Sequence, residues 1–109
     1  MAYVEITPVT SMPADGAAGK ELAGFDACEV SLDCSAGTGT ACLIKKGPGG
    51  TGGAGKWRQY GPSWTVDNTT AGQQVPRFKI PRDKAEYGVL ITGGPTIDAC
   101  YLEGTGHGR

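Results

Sequence analysis

Residues 25–34 read Phe25-Asp26-Ala27-Cys28-Glu29-Val30-Ser31-Leu32-Asp33-Cys34, and the alternation in this stretch decides the fold class. Cys28, Val30, Leu32 and Cys34 fall on one side, and Glu29, Ser31 and Asp33 fall on the other. A period of two with one wet face predicts a half-buried antiparallel strand. Ser35-Ala36-Gly37-Thr38-Gly39 predicts a turn and residues 40–46 (TACLIKK) a returning strand, so the two are expected to form a hairpin.

The same pattern recurs on both sides. Residues 2–9 set Tyr3, Glu5 and Thr7 against Val4 and Ile6, which suits a short strand or an extended arm. Residues 10–24 are small and glycine-broken and predict a loop with one helical turn around residues 20–23. Residues 57–60 and 64–66 are short aromatic strand pieces split by Gly61-Pro62. Residues 67–74 read as a polar turn. In residues 75–80 Phe78 and Ile80 are expected inward, with Arg77 and Lys79 outward. Residues 81–86 connect to residues 87–92 (YGVLIT), whose apolar run predicts a central strand covered on both faces. Gly93-Gly94-Pro95 is a turn, and residues 96–103 form the closing strand. No segment keeps a helical period. The expected fold is all-β: an antiparallel, jelly-roll-like β-sandwich of seven or eight short strands with long Gly-rich loops. The expected organisation is an N-terminal arm and loop (residues 1–24), a sandwich domain (25–104) and a flexible tail (105–109). Asp-Ala-Cys occurs at residues 26–28 and again at 98–100, which marks two strands facing one core rather than a repeat.

The 109 residues suffice for one domain with a single core. Charged residues make up 19% and the formal net charge is −1, which speaks against a strongly basic nucleic-acid-binding face. No apolar stretch approaches the ~20 residues of a membrane helix. The N-terminus lacks the basic and apolar regions of a signal peptide, so synthesis in a cytoplasm is expected.

The run Gly50-Thr51-Gly52-Gly53-Ala54-Gly55-Lys56 matches a phosphate-binding loop up to its last position, where Trp57 replaces the Ser or Thr that would hold Mg²⁺. Such a loop must also open a helix, and Gly61-Pro62 leaves no room for one. The run is therefore expected to be a loop between two strands. Cys28, Cys34, Cys42 and Cys100 lack zinc spacing and the sole histidine, His107, lies in a glycine-rich tail, so no metal or cofactor site is expected. The default for the thiols is burial as small hydrophobes; a Cys34–Cys42 disulfide across the hairpin is the alternative. The acid pairs Asp26/Glu29 and Asp98/Glu103 read as surface charges, and His107 is too poorly fixed to act as a base, so no catalytic set and no enzyme is expected. Arg77, Lys79, Arg82 and Lys84 read as a solvated edge that discourages strand pairing. Trp57, Tyr60 and Trp64 carry more information. They either fill the core, anchor an interface, or bind sugar rings.

In order, Val30-Ser31-Leu32, the glycine loop with Trp57, Phe78-Lys79-Ile80, Tyr87-Gly88-Val89-Leu90-Ile91 and Tyr101-Leu102-Glu103-Gly104 resemble the pattern of small β-sandwich virion proteins of tailed bacteriophages, of the capsid decoration (cement) type. The resemblance implies a structural role on the virion, with the major capsid protein as partner, a homo-oligomer with a trimer favoured, and neither nucleic acid nor membrane as target. It also implies that Tyr3, Val4 and Ile6 of the arm join Trp57, Tyr60 and Trp64 as candidate interface residues, the arm adding as a strand to a partner. The alternative is a carbohydrate-binding or receptor-contact module of a phage tail or surface spike. The four cysteines and the glycine loop depart from the usual pattern.

Overall fold

A computed structural model describes residues 2–21, 27–47, 55–67, 77–79 and 85–105, with only the backbone described for Ala2, Tyr3, Glu21, Arg77 and Thr105. Outside the described residues lie the start of the 25–34 stretch, the centre of the glycine run (48–54), the polar turn after Asp67, Ile80, Arg82, Lys84 and the tail with His107.

Nine strands are present among these residues: β1 (Ala2–Glu5), β2 (Lys20–Glu21), β3 (Ala27–Ala36), β4 (Thr38–Lys46), β5 (Trp57–Gln59), β6 (Trp64–Asp67), β7 (Arg77–Lys79), β8 (Glu86–Thr92) and β9 (Thr96–Thr105). Their antiparallel pairings nest. β1 pairs with β9, β2 with β8, β3 with β7, and β4 with β5 and β6. Two further pairings, β3 with β9 and β4 with β8, join these ribbons into sheets ordered β1-β9-β3-β7 and β2-β8-β4-β5, with β6 also on β4. A long hairpin rolled up in this way is a jelly roll. β5 and β6 act as one interrupted strand: β5 lies against residues 44–46 of β4 and β6 against residues 38–41. The Tyr60 N–H donates to the Leu43 carbonyl at 2.8 Å between them, and Gly61, at φ +88°, carries the break.

The alternation read from the sequence sets what lies between the sheets. Cys28, Val30, Cys100, Leu102 and Phe78 point inward from the first sheet; Ala41, Leu43, Val66, Tyr87, Val89 and Ile91 meet them from the second. Leu43 and Leu102 are wholly buried, so truncating either to Ala would cost about 2–5 kcal/mol. A second, smaller cluster of Cys42, Ile44 and Trp57, with Val9 and Leu90, covers the outer face of the second sheet. β8 is thus covered on both faces, which accounts for its nearly continuous apolar sequence.

Four sequence expectations need correction. First, β3 and β4 are not a hairpin, because they lie in opposite sheets. Gly37, at φ +79°, turns the chain from one sheet to the other, and Gly93 and Gly94 (φ +95° and +81°) do the same between β8 and β9. These corners pack backbone to backbone: a Cβ on Gly93 would lie 2.9 Å from the Gly39 Cα. Second, Cys34 packs at the margin of the core between the sheets whereas Cys42 lies on the far side of the second sheet, and all four thiols are free. Third, residues 2–21 are not a separate arm. β1 and β2 each supply an edge strand, and Lys20–Glu21 pairs with β8 instead of forming a helical turn. Fourth, the closing strand extends through Gly104 and Thr105, because β1 and β3 both pair with it there.

Candidate functional site

The glycine run closes a β-hairpin. Lys46 pairs with Trp57, and the Gly47 N–H donates to the Lys56 carbonyl at 2.9 Å. The chain leaves the run as strand β5, so the helix that a phosphate loop requires is replaced by a ladder.

The candidate aromatics separate into two places. Trp57 is 8% exposed and lies across the outer face of the second sheet. Its Nε1–H donates to the Ala17 carbonyl at 3.2 Å, and a Cβ built on Gly88 would sit 3.5 Å from its Cζ3. Residues 7–19 form a strap over this face. Val9 forms a bridge beside Leu90, accepting from the Ile91 N–H at 2.8 Å and donating to the Val89 carbonyl at 2.9 Å. The Gly16 N–H reaches the Gly55 carbonyl at 2.7 Å. The Gly19 N–H donates to Glu86 Oε1 at 2.6 Å, and the same oxygen lies 3.1 Å from Lys46 Nζ. These two contacts, the Gly19 bond foremost, hold the Glu86 carboxyl below its ordinary range. Lys56 and Asp15, both well exposed, add a weak pair at 3.7 Å. A cleft of about 230 Å³ and mixed polarity lies between strap and sheet, its border including Ile6, Thr7, Val9, Lys20, Ile44 and Trp57.

Tyr60 and Trp64 belong to the other place, where they close one side of the sandwich around Phe78. The Trp64–Phe78 and Tyr60–Phe78 centroids are 5.9 and 6.4 Å apart, and Tyr60 meets Tyr87 edge-on at 5.7 Å. The Tyr60 hydroxyl donates to the Lys79 carbonyl at 2.6 Å, tying the second sheet to β7 of the first. Lys45 Nζ sits 5.3 Å from the Tyr60 centroid and 5.7 Å from that of Tyr87. Val4 and Ile6 pack, half-buried, against the main core. The candidate interface residues with described side chains therefore do not form one patch, and Trp57 is spent on the protein's own packing.

What the sequence reading missed is the contrast between the two outer faces. The second sheet's outer face is apolar and covered by the strap. The first sheet carries Glu5, Glu29, Asp33 and Glu103 at positions that alternate away from its buried residues, and an exposed Asp98 where a register shift skips it between Ile97 and Ala99. Glu29 and Glu103 are direct cross-strand partners, and Arg77 follows Glu29 in the same row on β7. Asp98 lies far along β9 from Glu103, and the two stand apart as they would if they were surface charges; Asp26 lies outside the described residues. Among the described residues, no group of three or more His, Cys, Asp and Glu is placed to hold a metal ion. Gly88 inside an otherwise apolar strand marks a close approach on the second sheet's outer face, here by the Ile44 side chain and the Trp57 ring. No family model, curated protein or solved structure matches this chain.

Proposed function

We propose that this protein is a virion structural component of the capsid-decoration type, binding across junctions between coat subunits. The observation that carries the reading is the nested strand order, which is that of the jelly rolls common among viral capsid proteins. This is an argument by fold analogy. The residues add to it: the apolar outer face is already covered within the chain, and the acidic outer face is left for a partner. A homo-oligomer, with a trimer favoured, belongs to the same proposal. The competing carbohydrate-binding reading drew on Trp57, Tyr60 and Trp64; Trp57 is buried under the strap, and Tyr60 and Trp64 pack, half-buried, against Phe78.

The test is to heat purified shells with and without the protein. A component that binds the assembled shell and not its dissociated subunits raises the melting temperature by mass action. Equal melting at saturating protein would sink the proposal.

A further inference from the structure

We propose that the first half of β9, residues 96–99, is an acceptor edge for an extended peptide strand from a partner, one that alternates apolar and basic side chains. β9 is ten residues long, but β1 pairs with only its second half, from Gly104 back to Tyr101. The last bond of that ladder runs from the Ile6 N–H to the Cys100 carbonyl at 3.0 Å. The chain then departs: Pro8 has no N–H to donate, and Val9 is already bonded to β8 in the other sheet. Among the described residues no strand takes β1's place beside residues 96–99. On their other side these residues pair with β3, with Thr96 opposite Ala36, Ile97 opposite Cys34 and Ala99 opposite Asp33; the register shifts there leave Asp98 without a partner on β3. The edge is therefore held on one side by β3 and bulged at Asp98. Such edges template strand addition.

The space beside it fits this occupant. An open groove of about 520 Å³ runs there, bordered by Glu5, Ile6, Pro8, Lys20, Ile97 and Asp98. Side chains of an added strand would alternate. One set would lie beside Ile6 and Ile97, which pack half-buried against the main core. The other would extend the acidic outer face, beside the exposed Glu5 and Asp98. Two carboxylates against the single Lys20 select for basic side chains. The N-terminal segment is consumed within its own sheet as β1, so the chain acts as strand acceptor where the sequence suggested a donor. The inference rests on the edge and stands apart from the decoration reading.

The test uses the full chain, amide-resolved hydrogen exchange and NMR titration. The probe is a synthetic octapeptide alternating valine and lysine; a valine–glutamate octapeptide is the control. In the free protein the amides of residues 96–99 that do not face β3 should exchange fast, while that of Leu102, which faces β1, is protected. Adding the lysine peptide should slow the fast set and shift resonances of residues 5–8 and 96–99. It should bind about five- to tenfold tighter than the control, the effect of two exposed ion pairs of ordinary strength. The surface variants Glu5→Lys and Asp98→Lys should erase that preference without altering the spectrum of the core. Protection of residues 96–99 before any peptide is added, shifts that map elsewhere, or equal binding of both peptides would overturn the proposal. Concentration-dependent protection without peptide would overturn it in favour of a second copy as the occupant.

Discussion

Gly93 and Gly94 share a left-handed backbone, at φ +95° and +81°, but not their surroundings. A Cβ at Gly94 meets nothing within 4 Å, whereas at Gly93 it would press on the Gly39 Cα at 2.9 Å. The pair separates backbone strain from steric conflict. Gly94→Ala should lose about 1–2 kcal/mol, the cost of a left-handed L-residue. Gly93→Ala should lose about 2–4 kcal/mol, because backbone cannot yield as a side chain can. Urea unfolding of both variants measures the difference, and equal losses would mean that the two corners do not pack. Tyr60 supplies a second test. Its hydroxyl is the strut from the second sheet to β7, so Tyr60→Phe should cost about 1 kcal/mol. Exchange of the Phe78 amide region should quicken with it, while β8 and β9 stay unchanged.

The elements were legible in the sequence to different depths. Period two placed the inward face of β3, and the unbroken apolar run of β8 announced cover on both sides. Alternation is blind, however, to which sheet a strand joins. β3 and β4 are neighbours in sequence with a glycine turn between them, and a hairpin and a sheet-to-sheet corner present the same local signal. What separates them is the pairing of β3 with β9 and of β4 with β8, each set by distant contacts. The strap was hidden for a related reason: residues 7–19 have no period of their own and take their order from Trp57, β8 and Glu86. The Glu86 bond to Gly19 gives a pH prediction. The Glu86 carboxyl is held below its ordinary value of 4.5 in the folded chain. Its contribution is therefore fully present above about pH 4.5 and is lost as pH falls through the lowered folded value. In a Trp64→Phe background Trp57 is the remaining tryptophan, so its fluorescence should report strap loosening on acidification below that point. Glu86→Gln should show the loosened signal already at pH 7 and a flatter acid response. An unchanged emission in that variant would show that the strap does not depend on the charge of Glu86.

At the scale of the whole molecule, the nested topology makes the first strand wait for the last. β1 pairs with β9 across nearly the full chain, and such non-local closure makes folding slow. The open half of β9 follows from the same closure. It exists because β1 leaves its sheet at Thr7, and no residue of β9 itself signals this in the sequence. The repeated Asp-Ala-Cys, by contrast, was informative, since Cys28 and Cys100 do face one core from paired strands. They make the core's integrity measurable. Burial pushes the Cys28 thiol from 9.0 to about 11, with the nearby Glu29 adding to the effect, and pushes Cys100 to about 12 by burial alone. Both shifts disfavour the thiolate in the folded state, so the unfolded chain releases these protons first. Stability from this source is complete below about pH 9 and falls as pH rises from 9 toward 11–12. Urea midpoints should therefore drop steeply between pH 8.5 and 10.5. The drop should be shallower in the double variant Cys28→Ala/Cys100→Ala, even though that variant starts lower for lack of packing. At pH 8 a thiol reagent should modify Cys34, at the margin of the core, well before the buried Cys28 and Cys100. Labelling of all four thiols at one rate would mean that the two sheets part as readily as their rim, and the closed jelly roll could not be the resting state.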